Sequence, residues 1–308
     1  MRIRHLALVG PTASGKSELA LGAAYALGNV EIVSIDSMQI YRGLDIGTAK
    51  PTSRERAAVP HHMIDVADPA DEWSVARFQT EARAAVAEIE SRGRRALLVG
   101  GTGLYVRAVV DPLTFPPEDR ALRAEIEAEV ATGDGLAAAY EELERADPRA
   151  ASRIEPGNSR RVVRALEVIR ITGQPFSSFG LGLGTFGNPV FPVHLVGTWL
   201  PRARLAERIS QRFAAMRAAG LVDEVRALAR RGELSRTARQ AIGYKEVLDH
   251  IEGREPSLDA ALETAENRTR SLARRQRMWF RRDPRITWLA TADNPCTLLP
   301  SLLAIWSA

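Results

Sequence analysis

Apolar runs alternate with helical periodicity along the first hundred residues. Arg2–Val9, Val30–Ile35 and Ala96–Val99 are short apolar runs of the kind that form strands covered on both faces. Glu18–Leu27 and Ser74–Arg92 have helical periodicity. This order predicts βαβ units and an α/β fold: an open parallel sheet flanked by helices, with ligands at the carboxyl ends of its strands.

The pattern changes after residue 116, where only helical periodicity is found from Glu118 to Thr172. A glycine- and proline-rich stretch at 173–192 follows and is typical of a hinge. An all-helical insertion in the sheet domain is therefore predicted. The predicted divisions are a core domain at 1–116, the insertion at 117–189 and a second, mostly helical part of the core at 190–308.

The remaining segments complete the predicted core. A strand is predicted at Val193–Leu200 and a last one at Ile286–Leu289, with helices at 203–219, 221–231 and 258–280 between them. Residues 37–60 show little periodicity and are predicted to form a long loop. A loop of that length in a compact domain is usually functional.

A glycine-rich stretch joins the first predicted strand to the first predicted helix. It reads Gly10-Pro11-Thr12-Ala13-Ser14-Gly15-Lys16-Ser17. All four fixed positions of the phosphate-binding loop match, in the required order of strand, loop and helix. Backbone N–H groups and the helix N-terminus direct positive charge at one anion site, Lys16 adds an ammonium, and Ser17 offers a hydroxyl to Mg²⁺. The alternative is a chance glycine turn after a strand.

Composition narrows the class of protein. The 308 residues carry a net charge of +4, which is compatible with a polyanionic partner but does not require one. The excess is arginine: the lysines are Lys16, Lys50 and Lys245, either because those sites need a compact ammonium or by codon drift. One cysteine excludes an internal disulfide or a cysteine-based zinc cluster. No apolar run reaches membrane-spanning length, so we expect a cytoplasmic protein without a membrane partner.

Arginines cluster in two places. Eight lie between Arg268 and Arg285, and four fall at helical spacing on one face: Arg270, Arg274, Arg277 and Arg281. A second cluster in the insertion consists of Arg160, Arg161 and Arg164. Exposed arginine faces are usually only solvated, but these two have few acidic residues nearby to offset their positive charge. Two basic faces on a two-lobed chain predict a groove for a nucleic-acid backbone.

Two further polar residues follow strands. Asp36 ends the second predicted strand, where an acid can hold Mg²⁺ through water, accept a proton in a transferase, or only cap a turn. Thr102 follows Gly100 and Gly101; it can bind a phosphate or a substrate heteroatom, although spacing alone favours a plain N-cap.

Without an Asn-Lys-x-Asp motif a GTPase is disfavoured. A small-molecule kinase with the insertion as a lid and a non-catalytic RNA-binding ATPase stay open.

Several longer blocks closely resemble the tRNA dimethylallyltransferases, also called isopentenyl-tRNA transferases, of the bacterial type. With the phosphate loop they span Gly10 to Phe280 in order, and together they are far more specific than the loop alone. These blocks are Asp36–Tyr41, Asp45–Pro51, His61–Asp65, Gly100–Tyr105, Arg164–Val168, Ile242–Glu246 and Arg274–Phe280.

The resemblance implies a P-loop NTPase-like fold. It also implies an enzyme that transfers a dimethylallyl group from dimethylallyl diphosphate to N6 of the adenosine at tRNA position 37. It implies that Asp36 is the general base and that Thr102 helps to hold the amine or the adenine base. The diphosphate would be bound, with Mg²⁺ on Ser17, by Gly10, Thr12, Ala13, Ser14, Gly15, Lys16 and Ser17. We also expect Arg208 and Arg212, spaced i, i+4, to reach the diphosphate, unless they are solvated helix charges.

The resemblance also implies contacts with the tRNA anticodon stem-loop. Ser37, Met38 and Gln39 would line the flipped base, and Arg160 stands where the family usually has glutamine. The other implied contacts are Arg123, Arg161, Arg164, Gln240, Lys245, Arg274 and Arg275. Eukaryotic members add a zinc finger, which the single cysteine does not allow. A monomer is expected.

Overall fold

A computed structural model describes residues 5–179 and 184–307. Its centre is a parallel sheet of six strands in the order β3-β2-β4-β1-β5-β6. The strands are β1 (His5–Val9), β2 (Val30–Ser34), β3 (His61–His62), β4 (Arg95–Gly100), β5 (Val193–Trp199) and β6 (Thr287–Ala290). The prediction of an open parallel α/β sheet is confirmed; residues 2–4 of the predicted first strand lie outside the described part.

Helices cover the sheet and form the insertion. Those in the first half are α1 (Lys16–Leu27), α2 (Ser53–Ala58), α3 (Val75–Ser91), α4 (Gly103–Val110), α5 (Arg120–Val130), α6 (Gly135–Ala146), α7 (Pro148–Ala151) and α8 (Ser159–Thr172). Those in the second half are α9 (Arg202–Ala218), α10 (Leu221–Arg231), α11 (Arg236–Arg239), α12 (Tyr244–Ile251), α13 (Leu258–Phe280) and α14 (Leu299–Ser307). Short 3-10 turns lie at Phe176–Ser178 and Pro295–Leu298.

The prediction of an unbroken loop over residues 37–60 is wrong. The segment contains α2, which begins at a capping box in which Thr52 and Glu55 bond each other's backbone. The box satisfies the first free N–H groups of a helix too short to show periodicity. The sequence reading also missed β3, α11, α12 and α14, because two to nine residues give too little pattern.

The described chain divides into two compact units. One contains the residues up to Asp111 together with those from Asn188 onward, and the other contains Pro112–Gly187. The second unit has its own apolar core around Ile126, Leu143 and Leu166, each fully buried. The domain boundaries at 117 and 189 stay predictions, and the part of the predicted hinge at 180–183 lies outside the described residues.

The sheet carries an apolar core on each face because alternate strand residues point to opposite sides. In β1, Leu6 and Leu8 join one cluster while Ala7 and Val9 join the other. The carboxyl ends of β1, β2, β4 and β5 therefore meet at one edge of a rigid sheet. Within the described chain, no helix has the length and apolarity that crossing a bilayer requires.

Candidate active site

The phosphate loop follows β1 and turns sharply into α1. Gly10, Ala13 and Gly15 have φ values of 149°, 61° and 81°, and Gly15 is the N-cap residue of α1. Such angles are strained for a residue with a side chain, so Ala13 needs support from its surroundings. That support includes a buried hydrogen bond of 2.7 Å between the hydroxyls of Ser14 and Thr198, which joins the loop to β5.

Three cations surround this loop. The Lys16 ammonium donates to the Pro11 carbonyl oxygen at 2.6 Å. Burial, and secondarily the Arg212 charge, lowers the pKa of Lys16 to about 7, although Asp36 acts in the opposite direction. A cation held against these costs will gain strongly from a bound anion.

Helix α9 supplies the other two cations. Arg208 donates through Nε to the Ala13 carbonyl oxygen at 2.9 Å, and Arg212 donates to the Thr12 hydroxyl at 3.3 Å. Burial lowers the pKa of Arg212, with Asp36 opposing. Both arginines therefore contact the phosphate loop and are not merely solvated helix charges. Their role toward a diphosphate stays a prediction.

Asp36 follows β2 at the same edge of the sheet. One carboxylate oxygen accepts hydrogen bonds from the backbone N–H groups of Met38 at 2.8 Å and Gln39 at 3.4 Å. The other oxygen has no hydrogen bond to the described part of the chain, so it is available to a ligand. The carboxylate also interacts electrostatically with Lys16 and Arg212, which links it to the anion cradle.

Thr102 lies where β4 gives way to α4. It is the N-cap residue of α4, but its side chain makes no capping hydrogen bond. Thr102 therefore occupies the N-cap position that its spacing predicts, but its hydroxyl does not cap the helix and has no partner among the described residues. Two positions beside Thr102 have no room for a side chain. A Cβ on Gly100 would overlap the Ile35 carbonyl oxygen, and one on Gly103 would overlap the Trp279 ring.

The segment after Asp36 is tied down by its own polar groups. The Gln39 amide accepts from the Ser34 hydroxyl at 2.7 Å and donates to the Thr48 carbonyl oxygen at 3.0 Å. The buried Lys50 ammonium donates to the Tyr41 carbonyl oxygen at 2.6 Å and pairs with Asp65 at 2.6 Å. Gln39 thus holds the backbone in this structure, while Ser37 and Met38 are half-buried beside Asp36.

A carboxylate from α10 holds the far end of this segment. Glu224 accepts from the backbone N–H groups of Asp45 at 3.2 Å and Ile46 at 2.9 Å, and it also accepts from the Tyr244 hydroxyl. A Cβ on Gly47 would overlap the Tyr244 ring. The sequence did not predict these roles of Glu224 and Tyr244, because the backbone groups that they hold lie about 180 to 200 positions away.

One turn of α13 contacts two loops and the last residue of β5 at this edge. Gln276 accepts from the Thr12 N–H at 2.8 Å, and Trp279 packs against Gly103. The Arg277 guanidinium stacks on the Trp199 ring at 3.1 Å. The sequence placed this turn in a block that resembles the family, but it did not predict the contacts of Gln276 and Trp279.

The arginines of α13 do not form one free face. Arg270 pairs with Glu266 and Ser210, and Arg277 is stacked on Trp199, so the predicted face of four arginines is divided. Arg274 and Arg275 are exposed and have no partner in the described chain. Those two are the residues of α13 best placed to meet a phosphate backbone.

The other residues predicted to contact RNA differ in whether their side chains are exposed or already paired within the protein. In the compact unit Pro112–Gly187, Arg160 and Arg161 are exposed, whereas Arg123 and Arg164 pair with the buried Glu167 at 3.0 and 2.7 Å. Elsewhere Gln240 is exposed and Lys245 pairs with Asp249. Arg123 and Arg164 thus neutralise a buried carboxylate here, which the sequence reading did not foresee.

The edge can bind an anion and remove a proton. A loop of N–H groups with Lys16 faces one side, and a carboxylate with a free oxygen lies within its electrostatic reach. In the described part of the chain, no three His, Cys, Asp or Glu side chains are grouped to hold a metal ion. Any metal here would therefore take most of its ligands from water or substrate.

Comparisons with known proteins bear on this chemistry. Residues 39–283 match the family model described as IPP transferase. A tRNA dimethylallyltransferase of Salinispora tropica is 51% identical over 93% of this chain and 88% of that protein. One of Bifidobacterium longum is 46% identical over 99% of this chain and 91% of that protein.

Solved structures give the same result for the fold. A tRNA isopentenylpyrophosphate transferase of Bacillus halodurans has a TM-score of 0.70 and 39% identity, over 99% of this chain and 97% of that one. A eukaryotic dimethylallyltransferase acting on tRNA has a TM-score of 0.78 and 26% identity, over 98% of this chain and 78% of that one.

Proposed function

Because this chain belongs to the IPP transferase family, we propose that it is a tRNA dimethylallyltransferase, an enzyme that moves a prenyl group. It transfers a dimethylallyl group from dimethylallyl diphosphate to N6 of the adenosine at tRNA position 37. The products are N6-dimethylallyladenosine and diphosphate. The single observation that carries this proposal is the pairing of an anion cradle with the Asp36 carboxylate at one sheet edge.

The reaction needs alignment, charge neutralisation and removal of one proton. N6 of adenine forms a bond to C1 of the dimethylallyl group as the bond from C1 to the diphosphate oxygen breaks, and the electron pair leaves with the diphosphate. Lys16 and Arg212 offset the charge that develops on that leaving group. The free oxygen of Asp36 takes the proton of the amine as it becomes acidic, and the unpartnered Thr102 hydroxyl holds N6 in line.

A magnesium ion fits this site as a companion of the diphosphate. The Ser17 hydroxyl is exposed in the first turn of α1 and has no hydrogen bond to a described residue. Mg²⁺ prefers oxygen ligands and commonly takes them from substrate phosphates and water. When bound, the ion would supply further neutralisation of the diphosphate.

The tRNA partner enters through its anticodon stem-loop. Its adenosine must leave the stack before N6 can reach the carboxylate, which is easiest in a single-stranded loop. Arg274, Arg275, Arg160 and Arg161 are the exposed cations that suit its phosphates, with Ser37 and Met38 beside the base. We place the enzyme in the cytoplasm, since its proposed partner is tRNA, and we expect it to act as a monomer.

Transfer of label separates this function from its rivals. The protein is incubated with labelled dimethylallyl diphosphate and unmodified tRNA, and then with labelled ATP and small metabolites. We expect label on tRNA and no phosphorylated metabolite; the reverse result would support a kinase, and ATP-dependent RNA binding alone would support an RNA-binding ATPase.

The Asp36→Asn variant tests the base assignment in the same assay. Losing a general base typically costs about 10²–10⁴-fold in rate, whereas donor binding should persist because the cradle is intact. Wild-type turnover in Asp36→Asn would show that another group takes the proton.

A further inference from the structure

Gln276 has a position that its neighbours in sequence do not share. It lies on α13 between Arg275, which is exposed, and Arg277, which stacks on Trp199. Its amide points into the protein and reaches two loops at the carboxyl edge of the sheet. It is the uncharged polar residue in a run, Arg274–Phe280, whose other members are basic or apolar.

The first contact is with the phosphate loop. The Gln276 side-chain oxygen accepts from the Thr12 N–H at 2.8 Å, across 264 positions of sequence. The bond takes the Thr12 N–H away from any anion in the cradle and holds it in place. The Thr12 hydroxyl is held in turn by Arg212, so both polar groups of this residue are bound by helices.

The second contact is with the loop after β4. A Cβ on Gly101 would lie 2.6 Å from the Gln276 amide nitrogen and 3.0 Å from the Gly10 carbonyl oxygen. Gln276 therefore fills the space between the phosphate loop and the loop that carries Thr102. A single side chain abuts the binding loops of both substrates.

We infer that Gln276 is a positioning residue that sets the conformation of the phosphate loop and its spacing from the Thr102 loop. The loop contains Ala13 at a positive φ, and such strain persists only when the surroundings hold it. Without the bond, Thr12 is free to move and its N–H loses its partner. The inference rests on the proposed function only in taking diphosphate as the ligand of the loop.

The test uses Gln276→Leu, which keeps the volume but removes the acceptor, and Gln276→Glu, which keeps an acceptor oxygen. Glu263→Gln is the control, since Glu263 is an exposed residue of the same helix without a partner in the described chain. Hydrogen–deuterium exchange of the peptide containing Thr12 is measured without ligand. Titration calorimetry then measures inorganic pyrophosphate binding with Mg²⁺.

We expect faster exchange at the phosphate loop in Gln276→Leu and protection close to wild type in Gln276→Glu and the control. Pyrophosphate should bind Gln276→Leu roughly tenfold more weakly, because a loosened phosphate loop must be ordered when the anion binds. Unchanged exchange and affinity in Gln276→Leu, with only a lower melting temperature, would overturn the inference. If wild-type protein itself binds no pyrophosphate, the proposed function fails instead, while the exchange result still decides the role of Gln276.

Discussion

The Lys16→Met variant tests the electrostatics of the anion cradle formed by the phosphate loop. The substitution removes the ammonium and keeps a similar stem. Burial and the neighbouring Arg212 lower the pKa of Lys16 from 10.5 to about 7. The folded protein therefore holds this charge at a cost that methionine does not carry.

The size of the effect follows from the pKa. At about 1.36 kcal/mol per pKa unit, the change from 10.5 to about 7 corresponds to about 5 kcal/mol if solvent screened none of it. The side chain is only half-buried in the cradle, so we halve the figure to about 2.5 kcal/mol for solvent screening. The Lys16→Met variant should be more stable than wild type by about that amount at pH 6.

The sign of the pH dependence is determined by which state holds the proton. Below pH 7 both states carry the ammonium, so the folded state bears the full cost. Between pH 7 and 10.5 the folded state has released a proton that the unfolded state keeps, so the cost shrinks as pH rises. The advantage of Lys16→Met should therefore be smaller at pH 9 than at pH 6.

Urea unfolding at pH 6, 7, 8 and 9 measures this difference without ligand. Lys16→Arg serves as the matched control, because a guanidinium stays charged over the whole range and its cost relative to methionine should not change with pH. An advantage of Lys16→Met that is constant from pH 6 to 9, or a loss of stability at pH 6, would refute the assignment of a strained ammonium.

Three further substitutions test other parts of the site. Thr102→Val should leave the melting temperature almost unchanged, because the hydroxyl makes no bond to the described chain, and should slow single-turnover transfer roughly tenfold; a large drop in melting temperature would contradict this. Lys50→Met should lower the urea-unfolding free energy by about 3 kcal/mol, since it leaves Asp65 without its buried partner, whereas an unchanged value would show that Arg56 suffices. Arg274→Gln should weaken stem-loop binding and reduce the slope of log affinity against log salt by about one, and an unchanged slope would remove Arg274 from the phosphate contacts.

Local pattern was enough to predict five of the six strands and the phosphate loop. Apolar runs and the glycine loop predicted the strands around the phosphate loop, because strand burial and backbone approach to an anion each impose their own sequence pattern. Asp36 and Thr102 were found for the same reason, since each directly follows a strand. Short elements such as α2 and β3 were not found, because a few residues give no periodicity.

Only the tertiary structure decided which side chains are committed to the protein. Gln276 holds Thr12, Glu224 holds the backbone at Ile46, and Arg123 with Arg164 neutralises Glu167. These pairs join residues from 3 to 264 positions apart, and all but Arg164–Glu167 depend on how a helix packs against another part of the chain. A sequence gives the type of each polar group, but whether it is free for a ligand depends on partners that folding brings within hydrogen-bond distance.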